Sequence, residues 1–144
     1  MILTRNSLFP RRSVRALVLP SLAVILGLLL MGCGGASPRI VVEPTSQDLG
    51  EVPQEPLELT YTVRNEGDSP LQIEKVDTSC GCTRATVDRE TIPPSESAQL
   101  RVVLDPTEDN LYGNLLRVIY IRSNDPDNPE VEVEFRVTIR KPEG

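Results

Sequence analysis

Two cysteines separated by one glycine, Cys80 and Cys82 in the segment TSCGCT, are the residues whose type and spacing most suggest chemistry in this sequence. Thiols this close can form a disulfide, act as a redox couple or bind a soft metal ion. The chain has one further cysteine, Cys33, and no histidine. Which chemistry applies depends on the compartment of the protein and on the elements that position the pair.

The lack of histidine limits the classes of enzyme that the chain can represent. Nucleophilic catalysis of the Ser-His-Asp or Cys-His type has no base here. Acidic residues are abundant, but no pair of them is marked by its sequence context as a general acid and base. We therefore expect no enzyme, no catalytic residue, no cofactor and no small-molecule substrate.

The N-terminus predicts export and lipidation. Four arginines and no acidic residue precede an apolar run over residues 16–31, which is typical of a signal peptide. The run is shorter than the ~20 apolar residues of a membrane-spanning helix and contains Pro20. Leu30-Met31-Gly32-Cys33 resembles the lipobox of bacterial lipoproteins. That resemblance implies cleavage after residue 32, a diacylglycerol thioether on Cys33 and often a further acyl chain, such as palmitate, on its new amino group.

This interpretation places the protein outside the cytoplasm, anchored to a bacterial membrane through the lipid on Cys33. Residues 1–32 are then a lipoprotein signal peptide, and residues 33–38 are the lipidated cysteine and a short linker. Five extended linker residues reach at most ~18 Å, so the domain has to work near the membrane. More than one acyl chain gives a stable anchor.

Oxidation is the usual fate of a close cysteine pair outside the cytoplasm, so a Cys80–Cys82 disulfide is the leading interpretation. Residues two apart in a flat strand have Cα atoms ~6.6 Å apart, at the outer limit for a disulfide, so we expect the pair at a strand end or bulge, with the bend at Gly81. A structural zinc site needs four ligands, and with Cys33 lipidated a monomer adds only carboxylates. We expect no metal site, although redox-active or metal-binding thiols stay open as alternatives.

The charge of the exported part excludes one class of partner. Four of the fifteen basic residues and none of the twenty-one acidic residues precede Cys33, so the 112 residues from Cys33 onward carry a formal charge of −10. Nucleic acids and anionic lipid head groups repel such a domain. We therefore expect no nucleic acid partner.

Residues 39–144 show the pattern of β-structure throughout. Strict alternation of apolar and polar residues in EVEVEFRVTI and LELTYTVR predicts strands with one buried and one exposed face. Turn signals such as NEGDSP, IPPSES and SNDPDNP separate these segments. Seven or eight short strands in about a hundred residues predict an all-β fold, an immunoglobulin-like antiparallel β-sandwich. Its expected strands are RIVVE, QDLGEV, LELTYTVR, LQIEKV, RATVD, QLRVVLD, YGNLLRVIYIRS and VEVEFRVTI.

The segments around the cysteines resemble a known family. LTYTVRNEGDSPLQIEKVDTSCGCTRATVD, IPPSESAQLRVVLDP and YGNLLRVIYIRSNDPDNPEVEVEFRVTI are similar to a bacterial Ig-like family catalogued as a domain of unknown function. Members carry a Ser-Cys-Gly-Cys-Thr segment and a late Ser-Asn turn. The resemblance implies a fold related to the ASPM/SPD-2/Hydin and major-sperm-protein domains. This chain departs from the family at Ser95, where glycine is usual, and at Leu49, where an aromatic residue is usual.

These observations together predict a lipid-anchored, non-catalytic Ig-like module outside the cytoplasm. Its expected role is protein interaction or structure at the cell envelope, with an envelope protein as the partner. The alternative hypothesis is a redox or metal-handling lipoprotein that uses the thiols of Cys80 and Cys82. Neither the partner nor the oligomeric state follows from the sequence.

Overall fold

The structure, a computed structural model, describes residues 34–141. The predicted signal peptide and Cys33 lie outside the described residues. Residues 35–141 belong to one compact unit. Within residues 34–141 there is no helix long and apolar enough to cross a membrane.

Within residues 34–141, nine strands form two sheets, which confirms the predicted all-β, Ig-like class. The four-stranded sheet has the order β1-β3-β7-β5, and the five-stranded sheet has the order β2-β9-β8-β4-β6. The strands are β1 Ile40–Glu43, β2 Ser46–Val52, β3 Leu57–Asn65, β4 Leu71–Thr78, β5 Thr83–Val87, β6 Thr91–Ile92, β7 Ser97–Leu104, β8 Gly113–Ser123 and β9 Glu130–Ile139.

The core lies between the two sheets because alternate residues of facing strands point inward. On β7 the inward positions are Leu100, Val102 and Leu104, all fully buried. The two large aromatic side chains of the core, Tyr61 and Phe135, occupy the inward positions that the alternation predicted. Burial raises the pKa of Tyr61 to about 12, because the ionised phenolate is disfavoured away from water.

Two features differ from the sequence-based expectation of seven or eight antiparallel strands. First, the two-residue β6 pairs with β4 at Leu71 and Gln72, and its apolar-polar signal is too short to be recognised in sequence. Second, β2 pairs with β9 in parallel. The chain passes from β1 in one sheet to β2 in the other without reversing its direction. As a result, β2 and β9 point the same way where they pair.

The departure at Ser95 falls on a position with a special backbone conformation. Ser95 has φ 65°, in the left-handed region that glycine adopts without cost and most other residues avoid. Its N–H donates to the carbonyl of Asn65 at 2.9 Å, which holds the turn before β7 against the end of β3. The conformation gives a physical reason for the family's usual glycine.

The sandwich has two ends with different contents. At the N-terminal end the chain enters β1, where Ile40 pairs with Asn65 and the buried Asp125 follows β8. At the cysteine end, the turn 79–82 joins β4 to β5, and the loop 105–112 joins β7 to β8. The nine residues of β3 run from one end to the other, a separation of about 27 Å at the usual rise of a strand.

Candidate functional site at the cysteine end

Cys80 and Cys82 lie in the turn where the chain crosses from the five-stranded to the four-stranded sheet. Their sulfurs are at disulfide bonding distance, and their Cα atoms are 5.4 Å apart. The pair stands between the end of β4 and the start of β5 and not within a ladder. The exposed Gly81 forms the bend, and a Cβ there would meet no atom within 4 Å. The structure leaves room for other side chains at Gly81.

The turn is held by hydrogen bonds that do not involve the sulfurs. The hydroxyl of Thr78 lies 2.8 Å from the carbonyl oxygen of Thr83 and 3.0 Å from that of Cys80. The N–H of Thr83 also donates to the carbonyl of Cys80 at 3.1 Å, and the N–H of Asp105 donates to the carbonyl of Cys82 at 3.0 Å. These contacts hold the two cysteines in one turn through backbone and hydroxyl groups alone.

The two sulfur positions differ in access to solvent. Cys82 is 2% exposed and belongs to the hydrophobic core, whereas Cys80 is only partly buried against it. The N–H of Cys82 donates to Sγ of Cys80 at 3.2 Å. Sγ of Cys82 and the Thr83 hydroxyl lie 3.8 Å apart. An external reagent therefore reaches Cys80 more easily than Cys82.

The loop 105–112 adds acidic groups beside the turn. Asp105 accepts bonds from the backbone N–H and the hydroxyl of Thr107, at 3.0 and 2.6 Å, and these bonds lower the pKa of its carboxyl group. Glu108 pairs with Arg84 at 2.8 Å. The carboxylate of Asp109 lies with both sulfurs in one group of donor atoms, all within 4.8 Å of one another. A carboxylate thus lies next to the cysteine pair.

The cations that the sequence places nearest to the cysteines are already in ion pairs. Arg84 pairs with Glu108, and Lys75 pairs with Asp77 at 2.7 Å. Low thiol pKa values usually come from unengaged cations or helix N-termini near the sulfur. The surroundings of this pair are instead acidic.

Apolar and concave surface also lies near this end. Leu116 lies on the outer face of β8. Among the described residues it is the large hydrophobic side chain that is exposed, at 43%. The turn 79–82 contacts β8 near Leu116, because the N–H of Ser79 donates to the carbonyl of Val118. A surface cavity of about 670 Å³ is lined in part by Glu51, Gln54 and Arg140.

The N-terminal end is built from buried polar groups. Asn65 donates to the carbonyls of Ser69 and Ile92 at 2.8 and 2.9 Å and accepts from the N–H of Gly67. It is fully buried, and Asp125 is 1% exposed. Both side chains therefore replace water as the hydrogen-bonding partners of buried backbone groups.

Asp125 joins the first strand to the loop after β8. Its carboxylate accepts the N–H of Ile40 at 2.8 Å, of Asp127 at 2.9 Å and of Asn128 at 3.1 Å. Burial alone would raise the pKa of this carboxyl group, but the backbone hydrogen bonds outweigh it and lower the pKa. The sequence predicted a turn here, from the segment SNDPDNP, and gave no sign of the link to Ile40, 85 residues away.

Asp109 is the residue of the site that sequence analysis missed. It lies 27 positions after Cys82, in a loop of ordinary acidic composition. Only the antiparallel pairing of β5 with β7, in which Thr83 faces Leu104, brings the loop 105–112 beside the turn 79–82. No spacing rule links the two segments, so the sequence signal for Asp109 was absent.

Comparison with known proteins identifies relatives of this fold. A family described as "Protein of unknown function (DUF1573)" matches residues 40–139. A protein of unknown function from Porphyromonas gingivalis W83 is 26% identical, with a TM-score of 0.66, over 72% of this chain and 47% of that chain. The present chain thus spans about half the length of that protein. None of the curated proteins compared with the chain matches it.

Two further solved structures share the fold at low identity. The ASH/PapD-like domain 7 of human CEP192 is 11% identical, with a TM-score of 0.58, over 93% of this chain and 100% of that one. SSP-19, an MSP-domain-like protein of Caenorhabditis elegans, is 13% identical, with a TM-score of 0.52, over 68% of this chain and 98% of that one. These similarities confirm the predicted relation to the ASPM/SPD-2/Hydin and major-sperm-protein fold group, and they concern the fold alone.

Proposed function

Since the chain belongs to the DUF1573 family of proteins of unknown function, we propose its role from its own geometry. It is a lipid-anchored, non-catalytic Ig-like module at a bacterial membrane. It holds its cysteine end away from the membrane and presents that end to an envelope protein. The main observation in support of this orientation is that the chain enters the sandwich at the end opposite the cysteines.

The contacts of residues 37–39 support this orientation. The N–H of Asp68 donates to the carbonyl of Ser37 at 3.0 Å, and the N–H of Glu66 donates to the carbonyl of Arg39 at 2.9 Å. A Cβ at Gly67 would meet the backbone of these same residues, so the close approach depends on glycine. Four steps of chain separate Cys33 from Ser37, at most ~14 Å. An acyl anchor on Cys33 therefore keeps the N-terminal end near the lipid.

The surface properties of the domain support a protein partner at the other end. A formal charge of −10 on the exported residues disfavours contact of the domain with anionic lipid. Leu116 lies about 23 Å along β8 from the strand's end at Ser123. A large exposed apolar side chain at this distance from the N-terminal end of the sandwich fits a contact with another protein better than with lipid.

The anchor is tested by lipidation of the protein in its native host. Wild type should enter the detergent phase on phase separation, and its N-terminal peptide should carry the mass of acylated Cys33. Cys33→Ala should acquire no lipid and should leave the membrane. An unmodified Met1 or Gly34 at the mature N-terminus of wild type contradicts the proposed anchor.

The orientation is tested by photo-crosslinking at two matched positions in intact cells. Leu116 and Val41 both lie on outer faces of strands, opposite Arg136 and Arg64 respectively. A photoreactive residue at position 116 should crosslink to protein, and one at position 41 should crosslink mainly to lipid or not at all. A second photoreactive residue, placed in the loop 105–112, allows the partner to be captured from variants at positions 116 and 41. In this background Leu116→Glu should reduce the amount of partner that is crosslinked, and Val41→Glu should not. Equal protein crosslinks from both positions contradict the proposed orientation.

A further inference from the structure

The position of Asp109 beside the cysteines is not explained by a disulfide. One oxygen of its carboxylate and the two sulfurs form a group whose members all lie within 4.8 Å of one another. A disulfide carries no charge and gains nothing from a neighbouring carboxylate. A cation would be attracted to this position, and two thiolates and a carboxylate are all metal ligands.

Among the described residues, Asp109 differs from the other acidic groups of its loop. Asp105 accepts bonds from Thr107, and Glu108 pairs with Arg84. The hydrogen bonds and ion pairs of residues 34–141 include none that engages the Asp109 carboxylate. Its negative charge lies next to the sulfurs without a protein cation to balance it.

We propose that the reduced form of the protein binds one zinc ion through Cys80, Cys82 and Asp109. In tetrahedral zinc sites the Zn–S distance is ~2.3 Å and the Zn–O distance ~2.0–2.2 Å, so the ligand atoms lie roughly 3.5–3.8 Å apart. The observed limit of 4.8 Å requires the Asp109 carboxylate to approach by only about 1 Å. The sulfurs, once unbonded, move apart to the spacing that zinc requires. Water completes the fourth position.

The kind of metal follows from the donor set. A thiolate pair alone suits Cu(I), but soft ions disfavour carboxylate oxygen as a third ligand. Calcium and magnesium prefer oxygen ligands only. Both methionines precede Cys33, and the chain has no histidine, so those ligands do not contribute. Two thiolates and one carboxylate fit zinc, which accepts sulfur and oxygen together.

The zinc site and the disulfide exclude one another, because the thiolate is the ligand. The disulfide accepts two electrons and two protons from a dithiol reductant, for example a dithiol protein of the envelope, which becomes a disulfide itself. Zinc then displaces the two thiol protons. Transfer of two electrons from the thiolates to an acceptor disulfide, which takes up two protons from water and becomes a dithiol, restores the Cys80–Cys82 bond and releases zinc. The oxidation state of the pair thus switches the site.

The turn is suited to such a switch because its backbone does not depend on the sulfur bond. The bonds from the Thr83 N–H to the carbonyl of Cys80 and from the Asp105 N–H to the carbonyl of Cys82 do not include the sulfurs, so we expect them in both states. They hold the cysteines and the loop 105–112 together, so little conformational entropy is lost when the metal binds. This inference rests on the proposed export and cleavage of the chain, but it does not depend on the proposed partner.

The test is a zinc titration of the full chain carrying Cys33→Ala, in detergent, so that Cys80 and Cys82 are its only thiols. The protein is reduced with dithiothreitol, freed of reductant without oxygen, and titrated with Zn²⁺ against a chromophoric chelator. One zinc should bind per chain, with release of about two protons. Co²⁺ should give a thiolate charge-transfer band and the intense visible bands of tetrahedral coordination. The oxidised protein should bind no zinc at this site.

Two variants in the same background distinguish a specific zinc site from nonspecific attraction of zinc to an acidic surface. Asp109→Ala should weaken zinc binding about tenfold or more, since it removes a ligand and even outer contacts of metal sites contribute tenfold effects. Glu108→Gln, at the neighbouring residue that pairs with Arg84, should leave the affinity unchanged. The proposal is overturned if reduced protein binds no zinc, if it binds Cu(I) but not zinc, if oxidised protein binds equally, or if Asp109→Ala has no larger effect than Glu108→Gln.

Discussion

The two ends of the sandwich are held together by different kinds of contact. At the N-terminal end the buried carboxylate of Asp125 accepts three backbone N–H groups, one of them 85 residues away in sequence. At the cysteine end a covalent bond joins residues two apart, and exposed acidic side chains surround it. A short-range bond constrains little of the unfolded chain, whereas a long-range buried contact fixes the arrangement of strands. We infer that the fold depends on the N-terminal end and that the cysteine end is free for chemistry and contacts.

The largest effect should come from removing the Asp125 carboxylate. Asp125→Ala leaves three backbone N–H groups without an acceptor, including the buried one of Ile40. The variant loses hydrogen bonds to a charged acceptor and leaves a buried donor unsatisfied. We therefore expect the free energy of unfolding to fall by about 3 kcal/mol. Urea denaturation followed by circular dichroism measures this loss.

Asp127 offers the matched control for that substitution. Its backbone N–H donates to Asp125, but its own side chain is exposed. Asp127→Ala should change stability by no more than about 0.5 kcal/mol, as is usual for surface positions. If both variants lose the same stability, the buried carboxylate does not have the role assigned to it.

Acid should weaken the N-terminal end before it affects the turn. The pKa of Asp125 is lowered in the folded protein, so its contribution to stability is present above the unfolded pKa of ~3.9 and is lost as pH falls through the folded pKa. Asp125→Asn should therefore flatten the pH dependence of the melting temperature below about pH 4. Asp105 also has a lowered pKa, but its bonds come from Thr107, two residues away, so Asp105→Asn should change that dependence less. The opposite ranking would contradict the comparison of the two ends.

A smaller effect should follow the removal of the cysteine pair. Closing a loop of three residues contributes at most ~1.6 kcal/mol by the chain-entropy formula, before native strain is subtracted. Cys80→Ser with Cys82→Ser should therefore lower the free energy of unfolding by less than Asp125→Ala does. Intact mass of the wild type should also be two hydrogens below that of the dithiol. If the double variant does not fold, the disulfide has a structural role that this account denies it.

Much of the fold could be predicted because strands leave a local signal. Period-two alternation located β3 and β9 to within a residue or two. The two-residue β6 was missed because two positions cannot show a period. The parallel pairing of β2 was missed because pairing direction depends on where the chain changes sheets, which no local pattern records.

Only part of the candidate site could be predicted, because local sequence patterns do not record contacts between distant segments. Cys80 and Cys82 are separated by one residue and are chemically distinctive, so the sequence alone identified them. Asp109 reaches them only through the register of β5 with β7, and Asp125 reaches Ile40 only through the folded N-terminal end. Contacts between segments far apart in sequence require the tertiary structure.

Hydrogen-deuterium exchange of the full chain carrying Cys33→Ala, compared in its oxidised and reduced forms, tests the central claim most directly. The account predicts that any change in exchange on reduction is confined to the turn 79–82, the start of β5 and the loop 105–112. The amide of Ile40 and those of the loop after β8 should keep the same protection in both forms. Loss of protection at Ile40 on reduction would mean that the disulfide holds the whole sandwich, which would contradict the account.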